Sequence, residues 1–251
     1  MDKKELLSPN LARIMVGALP KIHALAEKFP SAPVINKADG TPVTDLDLAL
    51  SDLLEQISLE NFNNITVYSE EKYSLWQFPL MAIDPLDGTK EYIRGRPEWA
   101  LSVGFFEDES FKGQGWVFNP LTSELFSEDQ SLVKFVEKPV YYGEVSHSEW
   151  ERGWYKEIVS EKFKLKPMGS IAYKLGRLSA GKTDFVVSLA PKNIWDIAGG
   201  TLLCQRAGMK FYANGVEVKK VQHLYHPPLI WCFENSYSEL SLLFPPMDID
   251  L

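Results

Sequence analysis

Hydrophobic positions along the chain change period several times, and each change marks an element. Leu11, Ile14, Met15, Ala18, Ile22 and Leu25 recur at helical spacing, after a start signal at Ser8-Pro9. Pro20 falls inside that stripe and is expected to kink or divide the helix. Thr44 is placed to cap a second helix that carries Asp45 and Asp47. Asn64–Tyr68 and Leu80–Ile83 then read as short strands, as do Trp99–Phe106 and Gly113–Phe118, joined through the charged stretch Glu107–Lys112 and followed by Glu124-Leu125-Phe126. Near residue 135 the pattern changes to shorter strands alternating with helices. A helix-like stretch, Ile171 to Leu178, is followed by the β-prone run Asp184–Ser188. A helix opened by Asp196 runs through Leu202 and Leu203 and stops near Gly208. Pro227-Pro228 precedes the last apolar strand, Leu229–Phe233. The fold class is therefore α/β (α+β mixed). Residues 1–135 are expected to form one half and 136–251 the other, with no linker or low-complexity segment between them, so the halves should pack as one unit around a site.

The run Asp84-Pro85-Leu86-Asp87-Gly88-Thr89 carries the most chemistry. Two carboxylates lie three residues apart at the end of a strand-like run, where a turn can aim both at one point. Gly88 allows close backbone approach, and Thr89 adds a hydroxyl and an N–H at a helical start, a seat for an anion. Asp-Pro and Asp-Gly are also ordinary turn signals. Average residue usage gives a run of this type in only about one chain of this size in ten thousand. Two further acidic positions lie at element ends: Glu70 after the strand Asn64–Tyr68, and Asp196 in Asn193-Ile194-Trp195-Asp196. Taken alone, each is equally well a solvated strand end or a helix N-terminal charge.

Five blocks together resemble the inositol monophosphatase superfamily of Mg²⁺-dependent, lithium-sensitive phosphatases. They are Lys37–Thr44 with Asp47, Ser69-Glu70-Glu71, Asp84–Thr89 continuing through Tyr92 and Arg94, Gly169–Lys174, and Trp195–Ala198, in family order over residues 37–208. The resemblance implies a layered α/β/α/β/α sandwich. It also implies two or three Mg²⁺ per site, with Mn²⁺ as a substitute. One metal would take Glu70, Asp84 and the Leu86 carbonyl, and a second Asp84, Asp87 and Asp196. Four carboxylates at one point need cations to offset their repulsion, and an all-oxygen set suits Mg²⁺. The catalytic residues implied are Asp47 and Thr89, which would orient and deprotonate the attacking water, with Glu70 assisting. No covalent phosphoenzyme is expected.

The implied substrate is a small phosphorylated metabolite, bound by Asp87, Gly88, Thr89, Gly169, Ser170, Lys174 and Leu189. Lys90-Glu91-Tyr92 and Asn193–Asp196 resemble the bacterial 3′(2′),5′-bisphosphate nucleotidases. Leu189 stands where inositol-preferring members place a glutamate, and is expected to line an adenosine pocket. Val145-Ser146-His147-Ser148 matches the nucleotide-recognition block loosely. The favoured reaction is removal of the 3′-phosphate from 3′-phosphoadenosine 5′-phosphate, with inositol 1-phosphate, fructose bisphosphate or NADP(H) as alternatives. Lys174, Arg177 and Lys192 are candidates for the second phosphate, although as isolated residues they read as surface charges. A non-catalytic binding protein on the same scaffold would be expected to have lost a metal carboxylate; all are present.

Composition narrows the classes that remain. A net charge of −8 argues against a nonspecific nucleic-acid or membrane-surface binder. No run has the length of a membrane span, and Met1–Lys4 lacks the apolar core of a signal peptide, so a cytoplasmic location is expected, with a homodimer allowed. Cys204 and Cys232 lie in apolar surroundings and read as reduced, buried thiols. Gly176–Thr183 satisfies the P-loop pattern, which random sequence gives in about one chain in a hundred. It follows a helix and precedes a strand, the reverse of a P-loop, and reads as a decoy. His23, His147, His223 and His226 show no metal-ligand spacing, and Trp99 and Trp195 are expected to brace the acidic blocks.

Overall fold

The computed structural model describes residues 10–29, 34–36, 42–71 and 75–247. Its elements in chain order are α1 (Leu11–Lys28), β1 (Val34–Asn36), β2 (Pro42–Thr44), α2 (Asp45–Asn61), β3 (Thr66–Ser69), β4 (Leu80–Asp87), α3 (Thr89–Ile93), β5 (Ala100–Phe106), β6 (Gly113–Asn119) and β7 (Glu124–Ser127). They continue with β8 (Tyr141–Ser146), α4 (His147–Glu151), β9 (Phe163–Met168), α5 (Ile171–Ser179), β10 (Phe185–Ser188), β11 (Lys192–Asn193), α6 (Ile194–Arg206), β12 (Lys210–Ala213), β13 (Val216–Glu217), β14 (Leu224–Tyr225), β15 (Leu229–Cys232) and α7 (Glu234–Leu243). The Ser8-Pro9 start signal and Lys37–Thr41 lie outside the described residues. The first helix is capped by Asn10, whose Oδ1 accepts from the Arg13 N–H at 2.8 Å. Pro20 does not divide α1, which is one helix from Leu11 to Lys28. The bond Pro20 cannot donate belongs to the carbonyl of Val16, an exposed residue, while the buried Met15, Ala18 and Ile22 anchor the helix on both sides.

Two sheets organise the layers. One has the order β3-β4-β5-β6-β7, with β3 and β4 parallel and the other pairings antiparallel. The other has the order β13-β12-β15-β10-β8-β9, with only β10-β8 and β8-β9 parallel. Both are covered on both faces, so their strands read as apolar runs rather than as an alternation of apolar and polar residues. In β4, Met81 and Ile83 pack with α1 and α2, whereas Leu80 and Ala82 face the opposite way, onto α5 and α6. In the second sheet Val186, Phe211 and Trp231 meet that same pair of helices. Phe185, Val187, Tyr212 and Ile230 face outward, onto Tyr155, Leu240 and Phe244. The result is the expected α/β/α/β/α sandwich, with α5 and α6 as its middle layer.

Small residues let the middle layer sit close. A Cβ at Gly104 of β5 would lie 2.5 Å from the Cβ of Ala198, and one at Gly199 of α6 would lie 2.6 Å from the Trp116 carbonyl. The first turns of α6 therefore press onto β5 and β6, which lowers the start of that helix towards the end of β4. Cys204 and Cys232 are both buried and free. The P-loop-like stretch is the end of α5 turning into β10, as its context indicated. Among the described residues no helix is long and apolar enough to cross a membrane.

Candidate active site

The end of β4 is built to aim its carboxylates. The pairing with β5 shifts register between Asp84 and Asp87, an irregularity that turns the strand locally. Asp84 is 1% exposed, and its Oδ1 accepts from the Leu86 N–H at 3.0 Å. Gly88 then adopts φ +97°, where an L side chain is strained. A Cβ there would also lie within 3.2 Å of Glu98, Trp99 and Ser170. The chain passes directly into α3, so Thr89 points back at the same place. Its hydroxyl lies 3.1 Å from Asp47 Oδ1 and 3.2 Å from the Leu86 carbonyl.

Asp47 arrives from the first turn of α2 through a capping box. Its Oδ2 accepts from the Thr44 N–H at 2.8 Å and from the Thr44 hydroxyl. Burial pushes its carboxyl above the usual range, partly offset by the hydrogen bonds from Thr44 and Thr89. Glu70 follows β3, whose parallel register places Ser69 beside Ile83, so Glu70 emerges next to Asp84. Asp87 Oδ2 accepts from the Ser170 hydroxyl at 2.5 Å and the Ala172 N–H at 2.6 Å. Ser170 holds that position with φ +51°, a backbone strain located at the site. Asp196 lies in the first turn of α6 and accepts from the Asn193 N–H at 2.9 Å.

These groups press on one another electrostatically. Burial, then Glu70, Asp87 and Asp196, hold the Asp84 carboxyl well above the ordinary carboxylate range. Burial also raises Asp87, against hydrogen bonds from Ser170 and Ala172 and the charge of Lys174. Burial and then Asp87 push Asp196 up to about 7, with Lys192 opposing. An oxygen-only cluster that resists ionisation fits a hard divalent cation, which would restore the charged forms. Glu70, Asp84, Asp87 and Asp196 could supply the carboxylates and Leu86 a carbonyl.

This cluster gives the metal-free protein a defined pH response. Burial pushes the Asp196 carboxyl up to about 7 in the folded chain, from the ordinary 3.8 that it has when unfolded. Between these values the folded chain binds the proton more tightly, so this contribution to stability is full below the unfolded value and is lost as pH rises towards 7. Asp84 and Asp87 shift in the same direction. A divalent cation binds the ionised forms and should reverse the loss. The gain in Tm on adding Mg²⁺ is expected to be larger at about pH 7.5 than at about pH 5.5, by several degrees. An equal gain at both pH values, measured by scanning calorimetry, would refute it.

The carboxylates line a cleft of about 660 Å³. Asp87, Gly88, Thr89, Gly169, Ser170 and Lys174 all line it, as do Glu70, Asp84, Leu86 and Asp196. Lys174 is not a surface charge. It is 1% exposed, donates to the Met168 carbonyl at 3.1 Å, and is pulled down to about 8 by burial, with Asp87 and Glu149 opposing. Lys192 also lines the cleft, whereas Arg177 is spent on Glu144, which it meets through two nitrogens at 3.0 and 3.1 Å. Leu189 does not line the cleft. It continues the outward parity of Phe185 and Val187 and packs on the cluster beneath α4 and α7, while Ser188 faces the cleft. The adenosine-pocket expectation for Leu189 is therefore corrected by strand parity.

Local spacing gave no sign of one group. His147 lines the cleft with its Nε2 2.6 Å from Glu98 Oε2, and ligand atoms of Glu91, Glu98 and His147 lie within 4.8 Å of one another. The two glutamates are on one segment and the histidine on another, so only tertiary structure joins them. Trp99 is fully buried edge-on to Tyr92, and Trp195 packs on Tyr68, two residues before Glu70, so both tryptophans do brace the acidic segments.

A layered sandwich with an acidic, cation-demanding cleft between its sheets defines a metal-dependent phosphatase architecture. Residues 16–216 match the model of the inositol monophosphatase family, and the chain belongs to that family of phosphatases. It is similar to the 3′(2′),5′-bisphosphate nucleotidase CysQ of Escherichia coli O157:H7, 26% identical over 79% of this chain and 86% of that protein. It is also similar to the fructose-1,6-bisphosphatase/inositol-1-monophosphatase of Archaeoglobus fulgidus, 29% identical over 84% and 85% of the two chains. Among solved structures, the Thermotoga maritima IMPase superposes with a TM-score of 0.78 at 20% identity, covering 92% of this chain and 95% of that one, a likeness in fold.

Proposed function

We propose that this enzyme is a Mg²⁺-dependent phosphomonoester hydrolase that removes the 3′-phosphate of a nucleoside 3′,5′-bisphosphate such as 3′-phosphoadenosine 5′-phosphate. The observation that carries the reading is the convergence of Glu70, Asp84, Asp87 and Asp196 on one cleft, beside the Asp47–Thr89 pair. When bound, Mg²⁺ would supply Lewis-acid polarisation of the phosphate and charge for the leaving oxygen. The chain's own residues supply position and proton transfer. Thr89 Oγ1 donates to Asp47 Oδ1, which leaves its lone pairs to accept from an attacking water. Asp47, buried and raised above the usual range, is suited to receive the proton that water gives up through Thr89.

The rest of the cleft supports the choice of substrate. A volume of about 660 Å³ exceeds what a phosphate and a sugar-sized polyol require, and lies within the range of sites for larger ligands. Lys174 and Lys192 line it, act on Asp87 and can hold a second phosphate, and Ser146 and His147 line it as well. The CysQ relative is named for this bisphosphate chemistry. Phosphate release should therefore show kcat/KM at least about tenfold higher for 3′-phosphoadenosine 5′-phosphate than for inositol 1-phosphate. It should vanish in excess chelator. Equal efficiency on both substrates would overturn the nucleotidase reading alone, whereas full activity in EDTA would overturn the metal reading as well.

A further inference from the structure

Glu98 does not line the cleft, yet two segments that do are fastened to its side chain. It lies between α3 and β5, in the segment that follows the Asp84–Thr89 turn. Its Oε2 accepts from the Gly169 N–H at 2.7 Å and meets His147 Nε2 at 2.6 Å. These partners lie 71 and 49 residues away along the chain, at the end of β9 and the start of α4. Its backbone carbonyl fills the space that a Cβ would need at Gly169, at 2.7 Å, and at Gly88, at 3.1 Å. One carboxylate oxygen on the segment leading into β5 therefore ties the first sheet to two cleft-lining segments of the second sheet.

We propose that Glu98 is a positioning residue that sets the distance between the phosphate end of the cleft and the wall carrying His147. The inference rests on the reading of this cleft as the substrate site. Asp87 is held by Ser170 and Ala172 through bonds that the Glu98 side chain does not make, so these bonds to Asp87 remain when that side chain is removed. What is lost is the orientation of the His147 ring and the anchor of Gly169, the groups that decide how the part of the substrate beyond the scissile phosphate is seated. A charge-assisted bond to each partner makes the carboxylate the stronger tie, but a glutamine oxygen at the same place can accept both bonds. Removing the side chain leaves the Gly169 N–H without its acceptor.

The test compares E98A and E98Q with the wild-type enzyme. In E98A, hydrogen exchange at the Gly169 amide should accelerate at least tenfold, with E98Q close to the wild type. KM for 3′-phosphoadenosine 5′-phosphate should rise about tenfold or more in E98A with kcat changed less than threefold, a loss of binding rather than of chemistry. Recovery of most of that affinity in E98Q supports the geometric role. KM for p-nitrophenyl phosphate, which has no nucleoside to reach His147, should change far less. Wild-type exchange and wild-type KM in E98A would overturn the proposal, as would a fall in kcat as large as the rise in KM. If the wild-type enzyme does not hydrolyse 3′-phosphoadenosine 5′-phosphate at all, the nucleotidase reading fails by itself. The Gly169 exchange comparison, made without substrate, still decides the role of Glu98.

Discussion

Asp84→Asn should lower kcat by at least about a thousandfold and weaken Mn²⁺ binding, measured by titration calorimetry, while making the metal-free protein more resistant to heat at neutral pH. The two effects share one cause. Asp84 is buried among Glu70, Asp87 and Asp196, and its charged form is opposed by burial and by all three. An amide of the same shape removes that repulsion, but it also removes the anionic oxygen that a hard cation requires. Function and stability should therefore move in opposite directions, as they do where a site is strained for its task. Turnover within tenfold of the wild type would refute the role of Asp84, and a lower metal-free Tm would refute the electrostatic account of the cluster.

Thr89→Ala should reduce kcat by about a hundredfold to a thousandfold with little change in KM. The Thr89 hydroxyl lies between Asp47 Oδ1 and the Leu86 carbonyl, so under the proposed function its loss would remove the link through which a water passes its proton to Asp47. It does not remove a carboxylate, and metal affinity should persist. Asp47→Asn retains an oxygen for the capping box but loses the proton acceptor, and should resemble Thr89→Ala. The two changes break one relay, so the double variant should be little worse than either single variant. Normal turnover in Thr89→Ala, or additive losses in the double variant, would contradict the relay.

Among the described residues, many of the helices and strands follow from patterns that contiguous residues carry, whereas the layer order came from the family resemblance. Met81 and Ile83 alternate with Leu80 and Ala82, and a strand buried on both faces leaves just such a run. Thr44 with Asp47, and Asp196 at the start of α6, are helix starts that local chemistry announces. Pro20 shows the limit of a local rule, because tertiary packing of Met15, Ala18 and Ile22 holds the helix across it.

The sequence by itself marked Asp84 and Asp87 as a pair, and through its family resemblance named Glu70 and Asp196 as the carboxylates that would join them around a cation. Each of these residues sits at a strand end or helix start encoded by its own neighbours. It did not determine which lysine would be buried, which way Leu189 would face, or that Glu98 would reach His147 and Gly169. Those outcomes depend on the packing of α5 between two sheets, on the parity of β10 within its own sheet, and on how closely the two sheets approach at their ends. A one-residue change of parity turns a side chain from cleft to core, and contacts over 49 and 71 residues leave no local spacing to read. Chemistry was written along the chain, whereas the walls around it are set by register between distant strands.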